Sequence, residues 1–208
     1  MKNIGVAVIG LGGIGTLRAH SCAQIPQVGH LAICDIDPGK LDKLSEAVKA
    51  DIVTENYEEA INDERIQSVI VSTDEESHYG PAKLAAELGK PVLIEKPFVL
   101  NLDEADDIIA TAKQNGSPAF VGYTQRFRKR YLLAKESVEA GHLGDVVMAF
   151  GKIYVTRAVG EAVARRSPNT TPSINTLTYM VDLILWYMEG KTPVEVYARS
   201  ASKVFKPY

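Results

Sequence analysis

Two kinds of run alternate along the first 122 residues. Short, nearly continuous apolar stretches predict strands at 4–9, 31–34, 68–71, 91–94 and 119–121. Continuous rather than alternating apolar character is what strands covered on both faces require. Longer stretches with helical punctuation predict helices at 14–24, 40–49, 57–61, 78–88 and 102–114. Strand followed by helix, repeated, argues for parallel βαβ units with helices on both faces of one sheet.

Beyond residue 122 the pattern changes. A helix over 131–140 is closed by Gly141 and Gly144. Residues 145–157 ("DVVMAFGKIYVTR") and 193–205 ("PVEVYARSASKVF") are long and partly alternating, which predicts strands with two different faces. Between them lie a polar stretch, "AVGEAVARRSPNTT", and one strong helix, "TPSINTLTYMVDLILWYMEG". In that helix Thr171 suits the cap, Pro172 the first turn and Gly190 the stop. Leu177, Met180, Val181, Ile184, Leu185 and Met188 form an apolar stripe. Asn175, Tyr179, Asp182 and Trp186 gather on the other face. That face belongs either to solvent, as on an ordinary amphipathic helix, or to a cleft. Two domains are expected, 1–122 and 123–208.

Composition changes this picture little. Of 208 residues 46% are hydrophobic and 24% charged, ordinary for a globular chain. A net charge of −3 argues against a nucleic-acid partner. No apolar run approaches the length of a membrane span. The apolar N-terminus is interrupted by glycines and no small-residue cleavage site follows it. Two cysteines, Cys22 and Cys34, make no disulfide framework, and no Cys/His spacing suggests a metal. A reducing, cytoplasmic setting is expected, with Cys34 in the core.

The chemistry begins at "VAVIGLGGIG", where Gly10, Gly12 and Gly15 follow the first strand in G-x-G-x-x-G spacing, with Gly13 and Ile14 between them. The first glycine serves the tight turn, the second the approach of a pyrophosphate, the third close helix–strand packing. Asp35 lies 20 residues after Gly15 at the end of "LAIC", followed by Ile36. A carboxylate there can accept the ribose hydroxyls of an adenosine. "DIDPG" could equally be a polar turn, but loop, helix and carboxylate together point to a dinucleotide. Asp35 would repel a 2′-phosphate and no arginine follows closely, so NAD is expected rather than NADP.

The second chemical signal is "VLIEKPF". A buried strand ends in Glu95 and Lys96, and Pro97 denies the chain a further ladder hydrogen bond. Most Lys-Pro pairs at strand ends are simply loops. Ligands of open α/β sheets, however, collect at this end of the strands.

Taken together, "GLGGIG", "CDIDPGK", "STDEESHYGPAKLAAELGKPVLIEKPF", "VGYTQRF", "EAGHLGDV" and "VDLILW" resemble the glucose–fructose oxidoreductase/inositol dehydrogenase (Gfo/Idh/MocA) family over nearly the whole chain. The resemblance implies a Rossmann domain followed by an α+β domain with an open, mainly antiparallel sheet. It also implies NAD(P)-dependent oxidation of a secondary alcohol on a sugar or cyclitol, or the reverse reduction. Lys96 matches the family's active-site lysine, with Glu95 beside it near the cofactor. Where the family usually has an aspartate, a histidine and an aspartate, this chain has Asn175, Tyr179 and Asp182. Relatives resembling glucose–fructose oxidoreductase and dihydrodiol dehydrogenase use a tyrosine at that place. Tyr179 is then the expected proton carrier, with its pKa of about 10 lowered by a nearby Lys96 ammonium.

Thr73 and His78 match positions near the cofactor, although a strand-end threonine and a helix-capping histidine are ordinary features. Tyr123 and Arg126 in "GYTQRF" face substrate or else fix the domain junction. Family members generally continue further, so a fragment, or a homo-oligomer completing the second sheet, is expected. The rival to an enzyme is a non-catalytic NAD-binding regulatory protein of the same fold, which the altered helix motif favours and Lys96 opposes.

Overall fold

Six strands, β1 (Ile4–Ile9), β2 (Val28–Cys34), β3 (Ile52–Thr54), β4 (Ser68–Val71), β5 (Val92–Ile94) and β6 (Ala119–Val121), form one sheet in the order β3-β2-β1-β4-β5-β6. All five pairings are parallel. The structure is a computed structural model and describes residues 3–166 and 169–201. It separates into two units, Met1–Gly122 and Tyr123–Tyr208.

In the first unit the twofold alternation of side chains along a strand divides the core in two. Ala7 and Ile9 face the same way as Ala32, Cys34, Val69, Val71, Val92 and Ile94. Onto them pack α3 (Tyr57–Asn62), α4 (Tyr79–Glu87) and α5 (Leu102–Gln114) through Ala60, Ile61, Ala82, Ala85 and Ile108. Val6, Val8, Leu31 and Ile33 face the other way. There α1 (Gly13–Gln24) and α2 (Pro38–Val48) cover them with Ala19, Cys22, Leu41, Leu44 and Val48. Fully burying a side chain such as Ile94 contributes roughly 1.5–3 kcal/mol. Asp37, Asn56 and Asn101 cap α2, α3 and α5, each accepting a backbone N–H with its side chain. Each such cap is worth about 1 kcal/mol.

Both cysteines are free and buried. Burial above all, with Asp35 and Glu59 adding to it, pushes the Cys34 thiol up to about 12. Missing from the sequence expectation is β3, whose three residues pair only with β2 and are too few to show a period.

The second unit holds α6 (Lys129–Glu139), α7 (Arg157–Arg166) and α8 (Pro172–Tyr187). Two expectations fail here. Residues 145–156 and 191–201 carry no strand, and Arg157 already begins α7; residues 202–205 of the second expected strand lie outside the described residues. Alternation supplies two faces, but a strand exists only through hydrogen bonds to a neighbour, and none pairs with these segments among the described residues. Their apolar side chains, Val147, Met148, Phe150, Val194, Val196 and Tyr197, are largely exposed. The polar stretch is the reverse case, since most of it is α7. Gly160, a weak helix former in mid-helix, and Val163 are its buried residues.

Of the two alternatives for the polar face of α8, exposure to solvent does not hold. Thr171 caps the helix as expected, accepting the Ile174 N–H at 3.1 Å. The buried residues, however, are Asn175, Thr176, Asp182 and Leu183. Leu177, Val181 and Leu185 of the apolar stripe are 49%, 49% and 44% exposed, so that stripe does not face a core. Met180 and Ile184 lie against residue 151, where a Cβ on Gly151 would come within 3.2 Å of both.

Candidate cofactor site and catalytic residues

The glycine loop joins β1 to α1 at the carboxyl edge of the sheet. Gly10 has a φ of +87°, and a Cβ there would lie 2.6 Å from the Thr73 nitrogen. A Cβ on Gly15 would sit 1.7 Å from the Gly10 carbonyl oxygen, which no packing adjustment absorbs. Gly12 and Gly13 differ from both, because a Cβ at either meets nothing within 4 Å. The loop is therefore closed on its protein side and open on the other. Gly12 is the N-cap of α1, without a side-chain cap and with no acidic residue in the first turn. No acidic side chain of that first turn offsets the free N–H groups and positive end of the helix. Ile14 is 51% exposed.

Asp35 directly follows β2 beside this loop and is only 6% exposed. Its Oδ2 accepts the Leu11 N–H at 2.6 Å and its Oδ1 the Asp37 N–H at 3.0 Å. Lys40 donates to both oxygens at 3.1 Å. Burial pushes this carboxyl up, but the two backbone N–H groups and Lys40 outweigh it and hold it below the usual range. Ile36, next in the chain, is 87% exposed.

On the far side of β1, Thr73 is half-buried, and its hydroxyl donates to the Asp74 carbonyl at 3.2 Å. His78 precedes α4 but caps nothing with its side chain. Its buried Nδ1 lies 3.0 Å from the Pro97 oxygen and 3.1 Å from the Phe98 oxygen, and its Nε2 lies 3.2 Å from the Thr73 oxygen. The ring thus sits between the turn after Lys96 and the end of β4, within hydrogen-bond distance of carbonyls on both sides. Glu95 is held by Arg18 of α1, whose Nε and Nη2 donate to Oε1 at 3.1 and 2.6 Å. A Cβ on Gly122 would come within 2.8 Å of the other Glu95 oxygen, so Glu95 packs over that glycine. Lys96 follows, half-buried, with a cis bond to Pro97.

Within the second unit, Arg126 donates through Nε to both oxygens of Asp182, at 2.9 and 3.1 Å, and through Nη2 to Oδ1. That hydrogen bond raises the Arg126 pKa further. Tyr123 feels the same group. Burial, then Asp182, and more weakly Tyr179 push its phenol up, while Arg126 opposes them. Tyr123, Arg126, Tyr179 and Asp182 therefore share one neighbourhood, with Tyr179 half-buried. Trp186 stacks on Tyr187 at 5.6 Å, with Arg126 5.4 Å and Lys135 5.6 Å from its ring. Among the described residues no cluster of three or more His, Cys, Asp or Glu side chains could hold a metal ion. Among the same residues no helix is long and apolar enough to cross a membrane.

Residues 4–123 match the model of an oxidoreductase family with an NAD-binding Rossmann fold, Gfo/Idh/MocA. The chain belongs to this family. Similar curated proteins include an inositol 2-dehydrogenase/D-chiro-inositol 3-dehydrogenase of Lactiplantibacillus plantarum, 28% identical over 87% of this chain and 51% of that protein. A myo-inositol 2-dehydrogenase of Thermotoga maritima is 31% identical over 67% of this chain and 42% of the relative. The scyllo-inositol dehydrogenase of Lactobacillus casei, solved with NAD(H) and scyllo-inositol, superposes with a TM-score of 0.79 at 22% identity. That match covers 89% of this chain and 56% of the other, and at this identity it shows the shared fold alone. The chain spans about half the length of the curated relatives it matches.

The Gfo/Idh/MocA assignment can be tested against the glycine loop. Gly12 and Gly13 leave the open side a pyrophosphate needs, the start of α1 supplies free N–H groups, and Asp35 stands ready beside them, so these residues fit NAD. The structure brings together Gly10, Gly12, Gly13, Ile14, Gly15, Asp35, Ile36, Thr73, His78, Glu95 and Lys96 at one edge of the first unit. His78 and Glu95 are engaged by the protein itself, which suits them to shaping this edge. Three residues of this region were not legible in the sequence. Arg18, Lys40 and Gly122 act through partners 77, 5 and 27 positions away, and only the tie between Asp35 and Lys40 falls within a motif-sized window.

Proposed function

We propose that the chain carries the hydride-transfer chemistry of its family, as an NAD-dependent oxidoreductase acting on a secondary alcohol or carbonyl of a sugar, cyclitol or related compound. The observation that carries this is the glycine loop, open at Gly12 and Gly13 and flanked by Asp35, with Lys96 at the same sheet edge. The inositol dehydrogenases among the relatives support the substrate class. Bound NAD would accept or supply the hydride. Gly10, Gly12, Gly13, Ile14 and Gly15 would hold its pyrophosphate, while Asp35 and Ile36 would hold its adenosine and Thr73 would lie near it. NAD is preferred over NADP because Asp35 repels a 2′-phosphate.

Lys96 donates a hydrogen bond to the substrate oxygen, and Tyr179 carries the proton that leaves or joins it. Tyr123, whose phenol holds its proton firmly, serves as a hydrogen-bond donor to substrate. Asn175 lines the same face of α8. Arg126, locked to Asp182, orders that face. Residues 1–122 are the cofactor domain and 123–208 belong to a substrate domain. Its segments at 145–156 and 191–201 carry no strand by themselves, and would enter an open, mainly antiparallel sheet only on pairing with further strands, as when copies of the chain associate. Their exposed Val147, Phe150, Val194 and Val196 support that. The protein works in the cytoplasm.

The decisive test follows NADH absorbance while sugars, inositols and sugar acids are screened. With an active substrate, Lys96→Met should abolish turnover and leave NADH affinity within a few-fold, and Tyr179→Phe should slow the chemical step and shift its pH profile. Full activity of Tyr179→Phe with the original pH dependence would exclude the tyrosine as proton carrier. Tight NADH binding without turnover on any substrate would favour a regulatory NAD-binding protein instead.

A further inference from the structure

Asp35 is nearly enclosed, and its carboxylate has about four lone-pair positions to offer. All are in use: Oδ2 by the Leu11 N–H and Lys40, Oδ1 by the Asp37 N–H and Lys40. The two backbone donors are fixed by the glycine loop and by the turn into α2. Lys40 is the movable partner, since its side chain is 43% exposed and sits on a flexible stem. Ribose hydroxyls donating to Asp35 must take the positions that Lys40 occupies. Half-exposed ion pairs of this kind are weak, so the ammonium can give way. Once displaced it stays tethered in the first turn of α2, beside the carboxylate.

We propose that Lys40 governs how strongly this site discriminates between NAD(H) and NADP(H), by serving as the counter-charge that admits a 2′-phosphate which Asp35 alone would repel. The inference rests on the dinucleotide reading of the glycine loop and Asp35. A phosphate at the adenosine ribose meets three charges of this chain. Asp35 repels it, and so does Asp37, whose Oδ1 accepts the Gly39 N–H at 2.9 Å. Lys40 attracts it, and as a point charge needs no particular donor geometry to do so. The start of α2 adds a small positive contribution. Two carboxylates against one ammonium leave NAD(H) preferred. The single cation keeps that preference modest, because at comparable distance it offsets one carboxylate.

The test is titration of the full chain with NADH and with NADPH, each followed by the nucleotide's own fluorescence. Wild type is compared with Lys40→Met and Lys40→Arg. Wild type should bind both, NADH more tightly. Lys40→Met should weaken NADPH by about tenfold and leave NADH unchanged or slightly tighter, while Lys40→Arg keeps the wild-type ratio. Added salt should erode NADPH binding in wild type more than in Lys40→Met. The proposal is overturned if Lys40→Met changes both affinities by one factor or changes neither. It is also overturned if wild type binds NADH but no NADPH at all. A wild-type chain that binds neither nucleotide would overturn the dinucleotide reading itself.

Discussion

In the first unit α4 turns Ala82, Ala85 and Ala86 inward to 0% exposure against a sheet buried on both faces. In the second, α8 buries Asn175, Thr176 and Asp182, while Leu177, Val181 and Leu185 stay nearly half exposed. Both helices have an apolar stripe at helical spacing, so the difference lies outside them. An apolar stripe is buried only when another surface is there to receive it, and β4 and β5 supply one to α4. Side-chain hydrogen bonds hold the second unit's helices together. Arg126 grips Asp182, Lys135 donates to the Trp186 carbonyl and to Glu189 at 2.8 Å each, and the Tyr187 hydroxyl donates to the Tyr131 carbonyl.

That contrast predicts opposite responses to truncation. The largest effect belongs to the first unit. Ile94→Ala, at a site with 0% exposure, should cost about 2–5 kcal/mol in urea unfolding followed by far-UV circular dichroism. Gly15→Ala should cost about 3 kcal/mol through overlap with the Gly10 carbonyl, and should also abolish NADH binding. A loss below about 1 kcal/mol at Ile94 would mean that the two units are packed alike.

In the second unit the order reverses. Asp182→Ala leaves Arg126 without its carboxylate and should cost about 1–3 kcal/mol, whereas Leu177→Ala should cost less than about 1 kcal/mol. Trp186, the single tryptophan, reports on this unit directly through its emission. If Leu177→Ala proves the more harmful, the apolar stripe of α8 is covered in solution and the contrast disappears.

His78→Leu sharpens the comparison from the other side, because it tests a polar tie within the apolar unit. The ring N–H that holds a carbonyl of Pro97, Phe98 or Thr73 is lost, at about 1–3 kcal/mol. Amide exchange should quicken around residues 96–98 before it quickens elsewhere. Unchanged protection there would show that the turn holds itself.

The smallest effect is a pH dependence. Asp35 has a folded pKa below its unfolded value of about 3.9. Its contribution is therefore complete above about pH 4 and is lost as pH falls through the lower folded value. Asp35→Asn should flatten the stability profile in that acid window and leave it unchanged near neutrality in slope, which denaturation at stepped pH would show.

By itself the sequence determined the parallel strand–helix alternation of residues 4–121, the glycine loop, the carboxylate at 35 and the Glu-Lys-Pro turn. These are legible because each depends on local rules: apolar runs for doubly covered strands, glycine where no Cβ fits, a charged pair where a strand ends. It did not reveal β3, which is too short for a period, nor α7, which lies in a stretch read only as polar. It also placed strands at 145–157 and 193–205, because alternation describes two faces and not a hydrogen-bonded neighbour. Only the tertiary structure decided that Arg18 reaches Glu95, that Lys40 sits on Asp35, that His78 braces the turn after Lys96, and that the polar face of α8 is the buried one. Each depends on which side chain another element brings within about 3 Å, and hydrogen bonds of that length leave no periodic trace along the chain.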